Sequence, residues 1–154
     1  MQSKKRETNT DLYLPIYTAY LGAFLLTLQT ILAASVGAYR FRSRKGVGHE
    51  GDTTLERRVR RHGNMTEYAP IFLIVLAVFE LVAGQTGSIF WFATLFATAR
   101  ILHVFGFSSP VGSHIVNPKD GPIFIIARMS GAMLTLVVSL ALAALLFWHL
   151  VTKL

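Results

Sequence analysis

Three stretches of this chain contain no charged residue: Leu12 to Tyr39, Ser88 to Ala99 and Ser130 to Trp148. A helix needs about 20 apolar residues to cross the hydrocarbon core of a bilayer, and uncharged runs near that length read as membrane spans. The 154 residues are 53% hydrophobic and only 15% charged. A soluble domain of this size has too little interior to bury so much apolar surface. The expected architecture is therefore all-α, an integral membrane four-helix bundle in a single domain.

The spans are expected at about 12–41, 54–83, 88–107 and 122–151. Lys4, Lys5 and Arg6 precede an apolar run, as in a signal peptide. The run is too long for that, and no small-residue cleavage site follows it. Gly22, Ala23, Ala33, Ala34 and Gly37 give the first span small faces for helix packing. Thr53 or Thr54 is the expected cap of the second helix, with Glu56 in its first turn. Pro70 is an expected kink in that helix. Gly84 to Gly87 reads as a tight turn, and Ser108 to Gly121, with Pro110 and Pro118, as a loop. Pro122 suits a first helical turn.

The net charge is +7, and the basic residues gather near membrane ends, which argues against nucleic acid. Arg40, Arg42, Arg44, Lys45, Arg57, Arg58, Arg60 and Arg61 surround the first loop. The positive-inside rule places that loop in the cytoplasm and both termini outside. The chain has no cysteine, so disulfides, thiolate metal sites and a cysteine nucleophile are excluded.

Polar residues enter the second span in a pattern. Glu56, Arg60, Asn64 and Glu67 fall on one helical stripe, flanked by Arg57 and Tyr68. Arg100 stands inside the third span, with His103 and Phe107 at spacings of three and four. Arg128 enters the fourth span from the same side, and Arg40 closes the first. Polar groups at such depth pair internally or bind something. One reading pairs Glu67 with Arg100 and Glu56 with Arg60 as structural ion pairs. The other notes that Arg57, Arg60, Arg61 and Arg100 outnumber Glu56 and Glu67. Excess guanidinium calls for a carboxylate or phosphate ligand. His62 and His103 lack a convincing third metal ligand, and Glu80 reads as interfacial.

Glu56-Arg57, Arg60, His62, Asn64, Glu67-Tyr68 and Pro70, followed by Ala99-Arg100 and His103, resemble the MAPEG family, the membrane-associated proteins in eicosanoid and glutathione metabolism. The likeness is greatest to its small bacterial branch, which implies a bacterial inner membrane. The resemblance also implies a homotrimer with three sites between subunits, glutathione as co-substrate near the cytoplasmic side, and lipophilic small molecules or lipids as further partners. Arg60, Asn64, Glu67 and Tyr68 match residues that hold the tripeptide. Arg100 matches an arginine that engages a glutathione carboxylate, and Arg40 approximates a first-helix arginine of the adjoining subunit. Arg57 and His103 complete the candidate binding set. Glutathione offers carboxylates to the arginines and an ammonium to Glu67, and the Asn64 amide can donate and accept.

Two departures bear on catalysis. Phe107 stands where well-studied members carry a tyrosine. They also carry an arginine that stabilises the glutathione thiolate, yet no arginine lies between Arg100 and Arg128. Arg128, the catalytic candidate, and His114 remain for that role, and the motif places neither. The implied function is a glutathione transferase or peroxidase attacking lipophilic electrophiles through a thiolate. The alternative is an accessory membrane protein that binds glutathione, another small anion or a lipid headgroup.

Overall fold

The computed structural model describes residues 14–111 and 121–153. Four helices account for nearly all of them: α1 (Ile16–Ser43), α2 (Thr53–Ala83), α3 (Gly87–Gly106) and α4 (Pro122–Lys153). Each is long and apolar enough to cross a membrane. The shortest has 20 residues, which span about 30 Å. The first span begins four residues later than expected from its uncharged run, and α4 continues to Lys153. Lys4, Lys5, Arg6, Leu12, His114 and Pro118 lie outside the described residues.

α3 packs most extensively on α4, and α1 on α2. The pairs α1–α3, α2–α3 and α2–α4 close the bundle. Its core takes Leu21, Leu25 and Leu32 from α1, and Met65, Phe72, Leu76 and Phe79 from α2. Ile89 and Phe96 come from α3, and Val138 and Leu142 from α4. These follow the three, four and seven spacings of a helix face. Phe72 and Phe96 stack with ring centroids 3.7 Å apart. The opposite faces are as apolar as the core: Leu140 is 72% exposed, and Tyr20, Leu26, Ile71 and Phe147 are similarly bare. Hydrocarbon, not water, is the solvent that makes such a surface stable.

Small residues matter most where the sequence did not flag them. A Cβ on Gly106 would lie 2.5 Å from the Arg128 amide nitrogen, and one on Gly131 would lie 2.6 Å from that of His103. α3 and α4 thus touch backbone to backbone. By contrast, a Cβ on Gly22 meets only a leucine methyl at 3.9 Å, and Gly37 faces open space.

The helix ends correct one expectation and sharpen another. Asp52, not Thr53 or Thr54, caps α2, its Oδ1 accepting from the amides of Thr54 (3.1 Å) and Leu55 (3.0 Å). Tyr39 and Lys45 also donate to this carboxylate, at 3.1 and 3.3 Å. Glu80 lies near the end of α2, beside the first turn of α1, but it is not exposed there. It is wholly buried and accepts from the amides of Tyr17 and Thr18, each at 2.9 Å, and from Thr18 Oγ1 at 2.7 Å. A carboxylate on α2 therefore satisfies orphan donors in the first turn of α1. Pro70 sits within α2 without breaking it.

Candidate anion-binding site

Arg100 emerges from α3 about two turns from its end and is only 2% exposed. Its Nη1 donates to the Asn64 carbonyl at 3.2 Å, and its Nη2 to Thr135 Oγ1 at 2.6 Å. Its Nε has no hydrogen-bond partner among the described residues. The guanidinium carbon lies 5.7 Å from the Tyr68 ring centroid and 5.6 Å from that of Phe96. Beside it is a cavity of about 110 Å³ lined by Asn64, Tyr68, Arg100, His103, Ala132, Thr135 and Leu136. A buried cation supported, among the described residues, by a carbonyl, a hydroxyl and two rings retains much of its desolvation cost. An anionic group in that cavity would lower it.

The expected ion pairs do not form. Among the described residues the salt bridge is Lys45–Asp52, at 3.3 Å, and neither Glu67–Arg100 nor Glu56–Arg60 meets. Glu67 is exposed and lines, with Tyr68, Ile71, Phe72, Val75, Ser139, Leu142 and Ala143, a separate groove of about 250 Å³ between α2 and α4. Tyr68, 41% exposed, borders both spaces. Of the sequence-derived candidates, the fold gathers Asn64, Tyr68, Arg100 and His103. Arg60 is exposed and Arg57 half-buried on the outward continuation of the same stripe. Arg40 turns to its own loop, donating to the carbonyls of Lys45 (3.4 Å), Gly46 (3.2 Å) and Gly48 (3.0 Å). Arg128 lies over the Phe107 ring, 4.5 Å from its centroid, and is not among the residues lining the Arg100 cavity. His103 contacts Phe107 at 5.0 Å between centroids, so their expected shared face is real.

Thr135 is the site residue that sequence reasoning missed. Its hydroxyl donates to the Gly131 carbonyl at 2.7 Å while accepting from Arg100. Its one visible signal was a hydroxyl in the middle of an uncharged span. His62, on the other side of α2, pairs with Gln29 of α1 through Nε2 at 2.8 Å.

Comparison with known proteins agrees with this architecture. Inner membrane protein YecN, from two strains of Escherichia coli, is 28% identical over 68 residues, 44% of this chain. The matched segment covers 52% of those relatives, so the chain spans about half their length. The MAPEG family model matches residues 18–148, a range that takes in most of all four helices. With four apolar helices and that match over most of its length, the chain is an integral membrane protein that belongs to the MAPEG family.

Proposed function

We infer that the chain binds glutathione, and that its α-carboxylate or glycyl carboxylate enters the Arg100 cavity. The observation that carries this reading is a buried guanidinium with no carboxylate partner among the described residues, lining a cavity together with Asn64. A cavity of about 110 Å³ is smaller than the roughly 300 Å³ at which small-molecule pockets begin. It takes one end of a tripeptide. The rest of the ligand would run outward along Tyr68, Glu67, Arg60 and Arg57, which one protomer leaves uncovered. A homotrimer that brings Arg40 of a neighbour to this stripe completes the site. On this reading the protein is a membrane glutathione transferase or peroxidase. Lipophilic electrophiles would arrive from the bilayer, and the basic first loop would face the cytoplasm.

A second reading keeps the binding and omits the chemistry. It is favoured by the seat of Arg128 over Phe107, outside the lining of the cavity that would receive the ligand. A thiolate needs a neighbouring cation to lower the thiol pKa.

Calorimetric titration of glutathione into the detergent-purified chain, with Asn64→Ala alongside, tests the site. The Asn64 side chain makes no hydrogen bond among the described residues. Its carbonyl, which receives Arg100, survives the substitution. Saturable binding weakened roughly five- to tenfold is expected. Unchanged affinity would displace the site, and no binding by an intact oligomer would end the glutathione reading. Ultraviolet absorbance of bound thiolate near neutral pH then separates the enzyme from the binding protein.

A further inference from the structure

A wider concavity lies elsewhere in the described residues. About 760 Å³ of open space lies at the end of α1, lined by Arg40, Phe41, Arg42, Arg44, Lys45 and Gly46. The four cations there have different duties. Arg40 is held by three loop carbonyls, and Lys45 by Asp52. These bonds fold the loop back on the helix end and cover acceptors that would otherwise repel an anion. Arg44 completes the arrangement as the left-handed cap of α1, at φ 55°. That leaves Arg42 and Arg44, both exposed, with no hydrogen-bond or ion-pair partner among the described residues. Beside them Phe41 is 88% exposed and Val47 is 87% exposed.

We propose that this concavity is a binding site for the headgroup of an anionic phospholipid in the adjoining leaflet. The assignment rests on where the cavity sits and on what flanks it. α1 spans the membrane, so its last turn lies at headgroup depth. Guanidinium forks match phosphate oxygens, and juxtamembrane basic clusters attract acidic lipids. A soluble phosphate would use the arginines but not Phe41 and Val47, whose apolar surfaces extend the site toward acyl chains. It shares no lining residue with the Arg100 cavity, and the headgroup would be held by Arg42 and Arg44, which lie outside the candidate glutathione set, while Arg40 shapes the loop.

The test is electron paramagnetic resonance of the full chain reconstituted in phosphatidylcholine bilayers, with spin-labelled phosphatidylglycerol or spin-labelled phosphatidylcholine as probe. Motionally restricted label should favour phosphatidylglycerol. Arg42→Gln and Arg44→Gln should each reduce the preference about fivefold. Arg42→Lys with Arg44→Lys should retain most of it. Lys153→Gln, which removes a charge at the opposite end of α4, should leave it unchanged. Raising salt should weaken it, because exposed charges are screened. Equal association of the two lipids, or a loss as large with Lys153→Gln, overturns the proposal. So does abolition of the preference by millimolar inorganic phosphate at constant ionic strength, which would make the ligand a small anion.

Discussion

Across the α3–α4 seam, Nη2 of Arg100 donates to Oγ1 of Thr135 over 2.6 Å. The bond ties a membrane-embedded cation to a hydroxyl that is itself anchored on the Gly131 carbonyl. Thr135→Val keeps the shape and removes the acceptor, leaving a buried guanidinium N–H unpaired. The expected loss is about 1.5–3 kcal/mol, seen as a lowered unfolding midpoint in detergent, whereas Thr135→Ser stays close to the parent. If Arg100 also holds a ligand carboxylate, the ligand should recover part of the midpoint lost in Thr135→Val.

Gly131→Ala is expected to destabilise by about 1–3 kcal/mol through overpacking. The new methyl would meet the His103 amide nitrogen at 2.6 Å and the Ala99 carbonyl oxygen at 2.7 Å, backbone atoms that cannot swing aside. Gly37→Ala, facing open space, is the matched control and should leave thermal unfolding almost unaltered.

α1 and α4 were legible because charge is absent over most of their lengths, and α2 and α3 because long apolar runs flank the few charges inside them. The site was half legible. Asn64, Tyr68, Arg100 and His103 carry side chains whose polarity is conspicuous in such sequence, and the fold brings them together. Thr135 gave no comparable signal, since a helical threonine can satisfy its hydroxyl on the carbonyl four residues back. The Glu67–Arg100 pairing was inferred from matched depth alone. Depth fixes height along the bundle but not direction around it, and Glu67 points to the α2–α4 groove. The cap was misassigned for a similar reason: Asp52 reads as loop until its oxygen is seen against the α2 amides.

Glu80→Gln should cost about 1–3 kcal/mol. The carboxylate receives three bonds from α1, whereas a carboxamide has a single acceptor oxygen and turns an NH₂ group toward donors. Unfolding in detergent would show it, and backbone exchange at Tyr17 and Thr18 should quicken in the variant.

Asp52 supplies a pH test outside the spans. The Leu55 amide, then Lys45 and Tyr39, hold its carboxyl below its ordinary value of 3.8. A depressed folded pKa gives stability that is complete above 3.8, declines as the unfolded chain binds its proton first, and disappears below the folded pKa. Asp52→Ala should therefore unfold earlier than the parent near neutral pH. The gap should close as the pH falls through and below 3.8. A gap that stays constant down the titration would show that the charge of Asp52 contributes nothing.

The clasp of Glu80 on α1 also carries a consequence for biosynthesis. Its donors and its acceptor lie 62 and 63 residues apart, and the donors are made first. When α1 leaves the ribosome, the amides of Tyr17 and Thr18 have no protein partner until the far end of α2 has been translated. The two helices therefore reach their finished state as a hairpin, with the closing turn synthesised in the middle and the fastening last. Truncating the nascent chain before Glu80 would release an α1 whose first turn still depends on water or lipid headgroups.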